Sequence, residues 1–168
     1  MKMKYPIATV IMLVIIGCTG NSSRSDDFDF VLKYGVAAGN IINTFEGTYT
    51  KDMVVEPDTT IDFLLSPEEM AKIRKMMVEV NVFDYPNHFD PPMSDSGESR
   101  FGRMTMPYPT YELKIRMGDR EHEIIWHDSR ESSARKALRL RKMILQILKI
   151  IHSKEKIENL PPAKGAYL

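Results

Sequence analysis

The chain has 168 residues, with 23 Lys and Arg balanced by 23 Asp and Glu, and one cysteine. This balance gives no footing for nucleic-acid recognition, which needs a basic surplus. A lone cysteine excludes an intrachain disulfide, so any core must stand on packing.

Met1 to Lys4 carries two lysines and no acid, and an uncharged, largely apolar run follows from Tyr5 to Gly17. A positive start, a short apolar centre and a small residue before the cut describe a secretory signal peptide. As a helix its thirteen residues would reach only about 20 Å at ~1.5 Å each. The hydrocarbon core is ~30 Å thick, so the run is too short to span a membrane. The last four residues, Ile15-Ile16-Gly17-Cys18, resemble the lipobox that signal peptidase II reads in bacterial lipoproteins. That resemblance implies lipid on the Cys18 sulfur, cleavage after Gly17, and a protein held at the extracytoplasmic face of the cell membrane. The alternative is an ordinary secreted protein with a stray cysteine in its signal. Two acyl chains anchor firmly where one binds only marginally. Residues 19–27 (TGNSSRSDD) are small, polar and aperiodic, as a flexible tether should be. The expected organisation is a signal at 1–17, a lipidated cysteine and tether at 18–27, one domain at 28–162, and a tail at 163–168. The mature chain would carry 21 basic and 23 acidic residues, a net charge of −2.

Within the domain, Phe28, Phe30, Leu32 and Tyr34 alternate with Asp29, Val31 and Lys33, which predicts a strand with one apolar face. Gly35 to Gly39 breaks it. A second strand is expected over Ile42 to Lys51 and, after a turn at Pro57-Asp58, a third over Thr59 to Leu65. Ser66-Pro67-Glu68-Glu69 is a capping box with proline at the first helical position. The helix it opens should run to about Val82 and bury Met70, Ile73, Met77 and Val80. From Phe83 to Pro109 there is no periodicity, but five of the ten prolines. A loop of that length in a compact domain is either functional or mobile.

Gly118-Asp119 fits a two-residue hairpin turn. Pairing outward sets Arg116 against Glu121, Lys114 against Glu123, Leu113 against Ile124 and Tyr111 against Trp126. Opposite charges meet on one face and apolar groups on the other, and a one-residue slip would destroy both sets. A long helix should follow from about Ser129 to Ser153, opened by a second possible capping box, Asp128 with Glu131. It would bury Ala137, Leu140, Ile144, Ile147, Leu148 and Ile151. Its polar side is a stripe of Arg135, Arg139, Lys142, Gln146 and Lys149. The order β-β-β-α-β-β-α predicts an α+β fold, an antiparallel sheet of about five strands with two helices packed on one face.

Chemical motifs are sparse. His122 and His127 are five residues apart, whereas the zinc-protease motif needs His at i and i+4 on a helix. On a strand that odd separation puts the rings on opposite faces, with His122 at the core edge beside Ile115. Asp84, Asp90, Asp95 and Glu98 lack the alternation and closing Glu of a calcium loop. There is no G-x-S-x-G and no glycine-rich phosphate loop, so no catalytic residue, metal or cofactor is assigned. Two surfaces could recognise a partner. Arg135, Arg139, Lys142 and Lys149 could meet anionic lipid, or could simply keep an apolar helix solvated. Aromatic groups around the long loop, Tyr85, Phe89, Phe101 and Tyr108 with Tyr49 and Tyr111, could form a binding surface or plug the core edge.

Several segments resemble a group of small lipoproteins of Gram-positive bacteria. They are 44–53 (TFEGTYTKDM), 65–70 (LSPEEM), 83–86 (FDYP) and 160–165 (LPPAKG). The resemblance covers residues 28–168 and brings no activity with it. The expected function is a monomeric, non-enzymatic module that is anchored to the membrane and binds a protein or envelope component. A secreted inhibitor or immunity-type protein, and an envelope enzyme, are the alternatives.

Overall fold

The computed structural model describes residues 27–95, 106–130 and 132–167. Cys18, the signal-like segment and Phe101 lie outside them. Among the described residues the fold is α+β: a six-stranded antiparallel sheet in the order β4-β3-β2-β1-β5-β6, with three α-helices. The strands are β1 (Phe28–Tyr34), β2 (Asn40–Asn43), β3 (Thr48–Lys51), β4 (Thr59–Asp62), β5 (Thr110–Met117) and β6 (Arg120–His127). The helices are α1 (Pro67–Glu79), α2 (Arg135–His152) and the short α3 (Glu155–Glu158). Among the described residues, no helix is long and apolar enough to cross a membrane.

Alternation decides which face is buried. Phe28, Phe30, Leu32 and Tyr34 of β1 are buried, as are Ile42, Tyr49, Tyr111, Leu113, Ile115, Ile124 and Trp126 on its neighbours. Those side chains form one core with Ile73 and Met77 of α1 and Ala137, Leu140, Met143, Ile144, Ile147 and Ile151 of α2. The other face of the sheet is polar, with Lys33 paired to Glu112 at 2.7 Å. Arg116 binds Asp29 and Asp27 at 2.6 and 3.0 Å. The β5–β6 hairpin has the predicted register, Arg116 opposite Glu121 through Tyr111 opposite Trp126, with Gly118 at φ +59° in its turn.

The region expected to be one strand from Ile42 to Lys51 is a hairpin, which raises the strand count from five to six. Asn43 Oδ1 accepts the amide of Glu46, and Gly47 takes φ +65°. Thr44 is pulled back to β1, where its hydroxyl accepts from the Phe30 amide at 2.8 Å. Side-chain bonds of this kind offer the backbone a turn in place of a ladder. The strand expected to reach Leu65 stops at Asp62.

The capping box of α1 is complete. Ser66 Oγ accepts from the Glu69 amide, and the Glu69 carboxylate accepts from the Ser66 amide at 2.8 Å. Glu69 also holds Lys154 at 2.5 Å. Burial alone would raise the Glu69 carboxyl, but Lys154 and the Ser66 amide hold it below the ordinary carboxylate range. Replacing Ser66 with alanine is expected to cost about 1 kcal/mol, read as a lower urea midpoint with an unchanged slope.

The final helix starts six residues later than expected, because Asp128 is not its cap. The Asp128 carboxylate is buried and takes both Nε and Nη2 of Arg141, at 2.7 and 2.8 Å. Ala134 stands at the N-cap without a side-chain bond. Asp95, from the long loop, accepts the Arg135 amide at 3.2 Å and does the cap's work from a distance.

Candidate functional site

Antiparallel pairing collects the end of β1, the start of β5 and the end of β6 at one end of the sheet. Backbone bonds tie these ends together: the Thr110 amide donates to Gly35 O at 2.8 Å, and the Asp128 amide to Pro109 O at 3.0 Å. The turn after β1, with Ala37 and Ala38 at φ +53° and +56°, thereby lies against Met106, Pro107 and Tyr108. Between them is a cleft of about 330 Å³ whose polar walls are Tyr108, Thr110, His127 and Tyr167. That size is at the lower end of small-molecule sites, and its mixture of apolar wall and few polar groups is their usual make-up.

Each polar wall has a specific support. Thr110 Oγ1 lies 3.1 Å from Nδ1 of His127, and Tyr108 meets that imidazole edge-on at 6.2 Å between ring centroids. Thr110 is 6% exposed, so its hydroxyl orients the imidazole and leaves Nε2 for a ligand. Tyr167 donates its hydroxyl to the Asp52 carboxylate, and that bond pushes the phenol up to about 12. Asp52 is itself fixed: Oδ1 accepts the Val54 amide at 2.8 Å, and its own amide donates to Asn40. Gly39 makes the room, since a Cβ there would stand 2.4 Å from the Asp52 carboxylate oxygen.

The segment expected to be a tail therefore builds part of the site. Lys164 bridges to Val54 and pairs with Glu56 at 2.7 Å, which brings Tyr167 onto the cleft.

The other expected surface residues divide. Tyr108 lines the cleft. Tyr85 and Phe89 are 3% and 7% exposed and belong to the core, so they are corrected out of the binding surface. Tyr85 stacks edge-on with Phe89 and Phe89 with Trp126, and the Tyr85 hydroxyl donates to Lys136 O at 3.0 Å. The described part of the long loop is built into the fold. Asn87 to Phe89 bonds along the free edge of β6 through Ile125, and Met93 O accepts the Ser133 amide at 2.8 Å. Arg135, Arg139, Lys142 and Lys149 are exposed on α2, with Arg139 donating to Glu79 O at the end of α1. His122 sits opposite Ile115, its Nε2 2.8 Å from Tyr85 O. Among the described residues, no three His, Cys, Asp or Glu side chains gather as a metal site would require.

A second polar constellation joins α2 to the sheet. The Tyr34 hydroxyl contacts Nε2 of His152 at 2.8 Å and the Tyr49 hydroxyl at 3.0 Å. Burial pushes both phenols up, while burial and the nearby Lys51 push the His152 imidazole down. The fold thus favours neutral His152, and its contribution is intact above the ordinary imidazole pKa of ~6.5. It is lost as pH falls through the depressed folded value. The unfolding midpoint is expected to drop between pH 7.5 and 5.5, and His152→Gln to flatten that slope.

No protein-family model, no curated protein and no solved structure matches this chain.

Proposed function

We propose that this chain is a membrane-anchored extracytoplasmic lipoprotein whose domain binds a protein or envelope component through the cleft between Tyr108, His127 and Tyr167. The observation that carries this reading is the polarity of the sheet. The Asp27 carbonyl accepts the amide of Gly118 and its carboxylate binds Arg116, so a tether preceding Asp27 would leave beside the β5–β6 turn. The cleft lies past the opposite end of β1, whose seven residues span about 20 Å at ~3.3 Å each. A tether to Cys18 would therefore leave the chain at the end of the sheet away from the cleft and would not run across it.

Two measurements test the two halves separately. Cys18→Ala is expected to abolish fatty-acid labelling and release the protein from the membrane fraction. If the variant stays labelled and membrane-bound, the anchor is wrong. For the cleft, a photo-cross-linking residue at position 108 should trap a discrete product in cells, and His127→Ala should remove it. The same probe at Lys114, on the open polar face, should trap none. Equal products from both positions would sink the cleft. The hydroxyl–imidazole contact of Thr110 and His127 is what favours the enzymatic alternative, and ester hydrolysis lost in His127→Ala would establish it.

A further inference from the structure

Helix α2 carries six of the chain's 23 Lys and Arg and none of its 23 acids. The surplus sits on one helix of a chain that is neutral overall. Three of the six are used within the fold: Lys136 on Asp84 O, Arg139 on Glu79 O and Arg141 on Asp128. The others, Arg135, Lys142 and Lys149, are exposed, and the contact of Arg135 with Asp95 is long, at 3.7 Å.

Those three do not stand alone. Arg135, Leu138, Lys142, Leu145 and Lys149 succeed one another at spacings of three and four, which is one line on a helix. Leu138 and Leu145 are 50% and 54% exposed. The inner face of α2 is already filled, so these two leucines add nothing to the core. A face designed only for water would hold polar residues there. Alternating cations and leucines along about 21 Å of helix is the pattern of a surface that sits in a headgroup layer. Leucines enter the acyl boundary and cations meet phosphates.

We propose that this stripe docks the domain flat on an anionic lipid bilayer. The contact is distinct from the cleft and does not require the lipid anchor, which would only raise its local concentration. Among the described residues the buried core runs from Phe28 to Ile157, so residues 19–168 retain it, and this cysteine-free piece separates docking from anchoring.

The test is co-sedimentation of residues 19–168 with vesicles of phosphatidylglycerol mixed into phosphatidylcholine. Binding is expected with the anionic mixture, to weaken with salt, and to be absent on pure phosphatidylcholine. Lys142→Gln with Lys149→Gln should weaken it about 25-fold, roughly fivefold for each charge near the surface. Leu138→Ser with Leu145→Ser should also weaken it while leaving the charge unchanged. Circular dichroism and an unaltered unfolding midpoint confirm that each variant is folded. Equal binding to neutral vesicles overturns the proposal, as does wild-type binding by the lysine pair. If a soluble anionic polymer is bound as well as the vesicles and the leucine pair changes nothing, the stripe recognises phosphate chains and the bilayer assignment is wrong.

Discussion

Trp126→Ala is expected to destabilise the domain by about 3–5 kcal/mol, the range for losing a large buried aromatic side chain. Trp126 is 1% exposed and joins elements distant in the chain. Its ring meets Tyr111 of β5 at 5.5 Å and Phe89 of the long loop at 5.4 Å, with Arg141 of α2 5.2 Å from its centroid. Deleting it leaves a cavity under the loop and the start of α2 together. Domains are stable by only about 5–15 kcal/mol, so the variant should sit near its threshold. Trp126 is the only tryptophan, so unfolding of this variant must be followed by far-ultraviolet circular dichroism in urea. A loss under 1 kcal/mol would mean that the ring is not packed as described.

Asp128→Ala should cost about 3 kcal/mol, because it strips a largely buried arginine of its bidentate carboxylate. The side chains of Asp128 and Arg141 are 5% and 21% exposed, too enclosed for water to replace the pair fully. The double variant Asp128→Ala with Arg141→Met should recover much of the loss, since a buried pair is often no better than apolar groups of similar shape. The coupling energy from that cycle separates the ion pair from simple packing. Urea midpoints read by Trp126 fluorescence are compared for the wild type, Asp128→Ala, Arg141→Met and the double variant. If the double variant is as unstable as the sum of the singles, Arg141 and Asp128 act independently.

These residues show how unevenly the fold could be read in advance. The 110–127 hairpin was legible to the residue, because its charges and apolar groups alternate in a pattern that only one register satisfies. The capping box at Ser66 was legible for a similar reason: its partners are three residues apart. What escaped was held by distant contacts. Asp128 looked like a helix cap from its neighbours, yet its partner lies thirteen residues on. Ser133 and Arg135 are held by Met93 and Asp95, 40 residues back. The turn at Thr44–Gly47 was hidden in a run of strand-forming threonines and aromatics, with Gly47 the one local clue.

The candidate site was legible only in part. Tyr108, Tyr85 and Phe89 look equivalent in sequence as aromatic groups of a possible binding surface, yet Tyr108 lines the cleft while Tyr85 and Phe89 are core. An aromatic residue in a proline-rich loop carries no local mark of whether it plugs the core or faces solvent. His127 drew attention only through a rejected metal motif, and its partner Thr110 is seventeen residues away. Tyr167 reaches the cleft through Asp52, 115 residues earlier. The cationic stripe of α2 was fully visible, since a helix face is periodic in sequence. The two leucines within it gained meaning only once the inner face was seen to be full.

The strand order has a consequence for how the chain acquires its shape. β1 to β4 follow one another as neighbours, so this half can zip up through local hairpins. β1 must then find β5, where Phe28 pairs with Met117 about 90 residues later. Closing so long a loop is slow, and it comes before most of the burial that rewards it. As the chain emerges from its amino end, Phe30, Leu32, Ile42 and Tyr49 have only α1 to pack against until β5, β6 and α2 arrive. Before that pairing, β1 offers an unpaired strand edge, the kind of surface on which chains aggregate. Slowing the β1–β5 encounter is therefore expected to lower the refolding yield as chain concentration rises, even in a variant of unchanged stability.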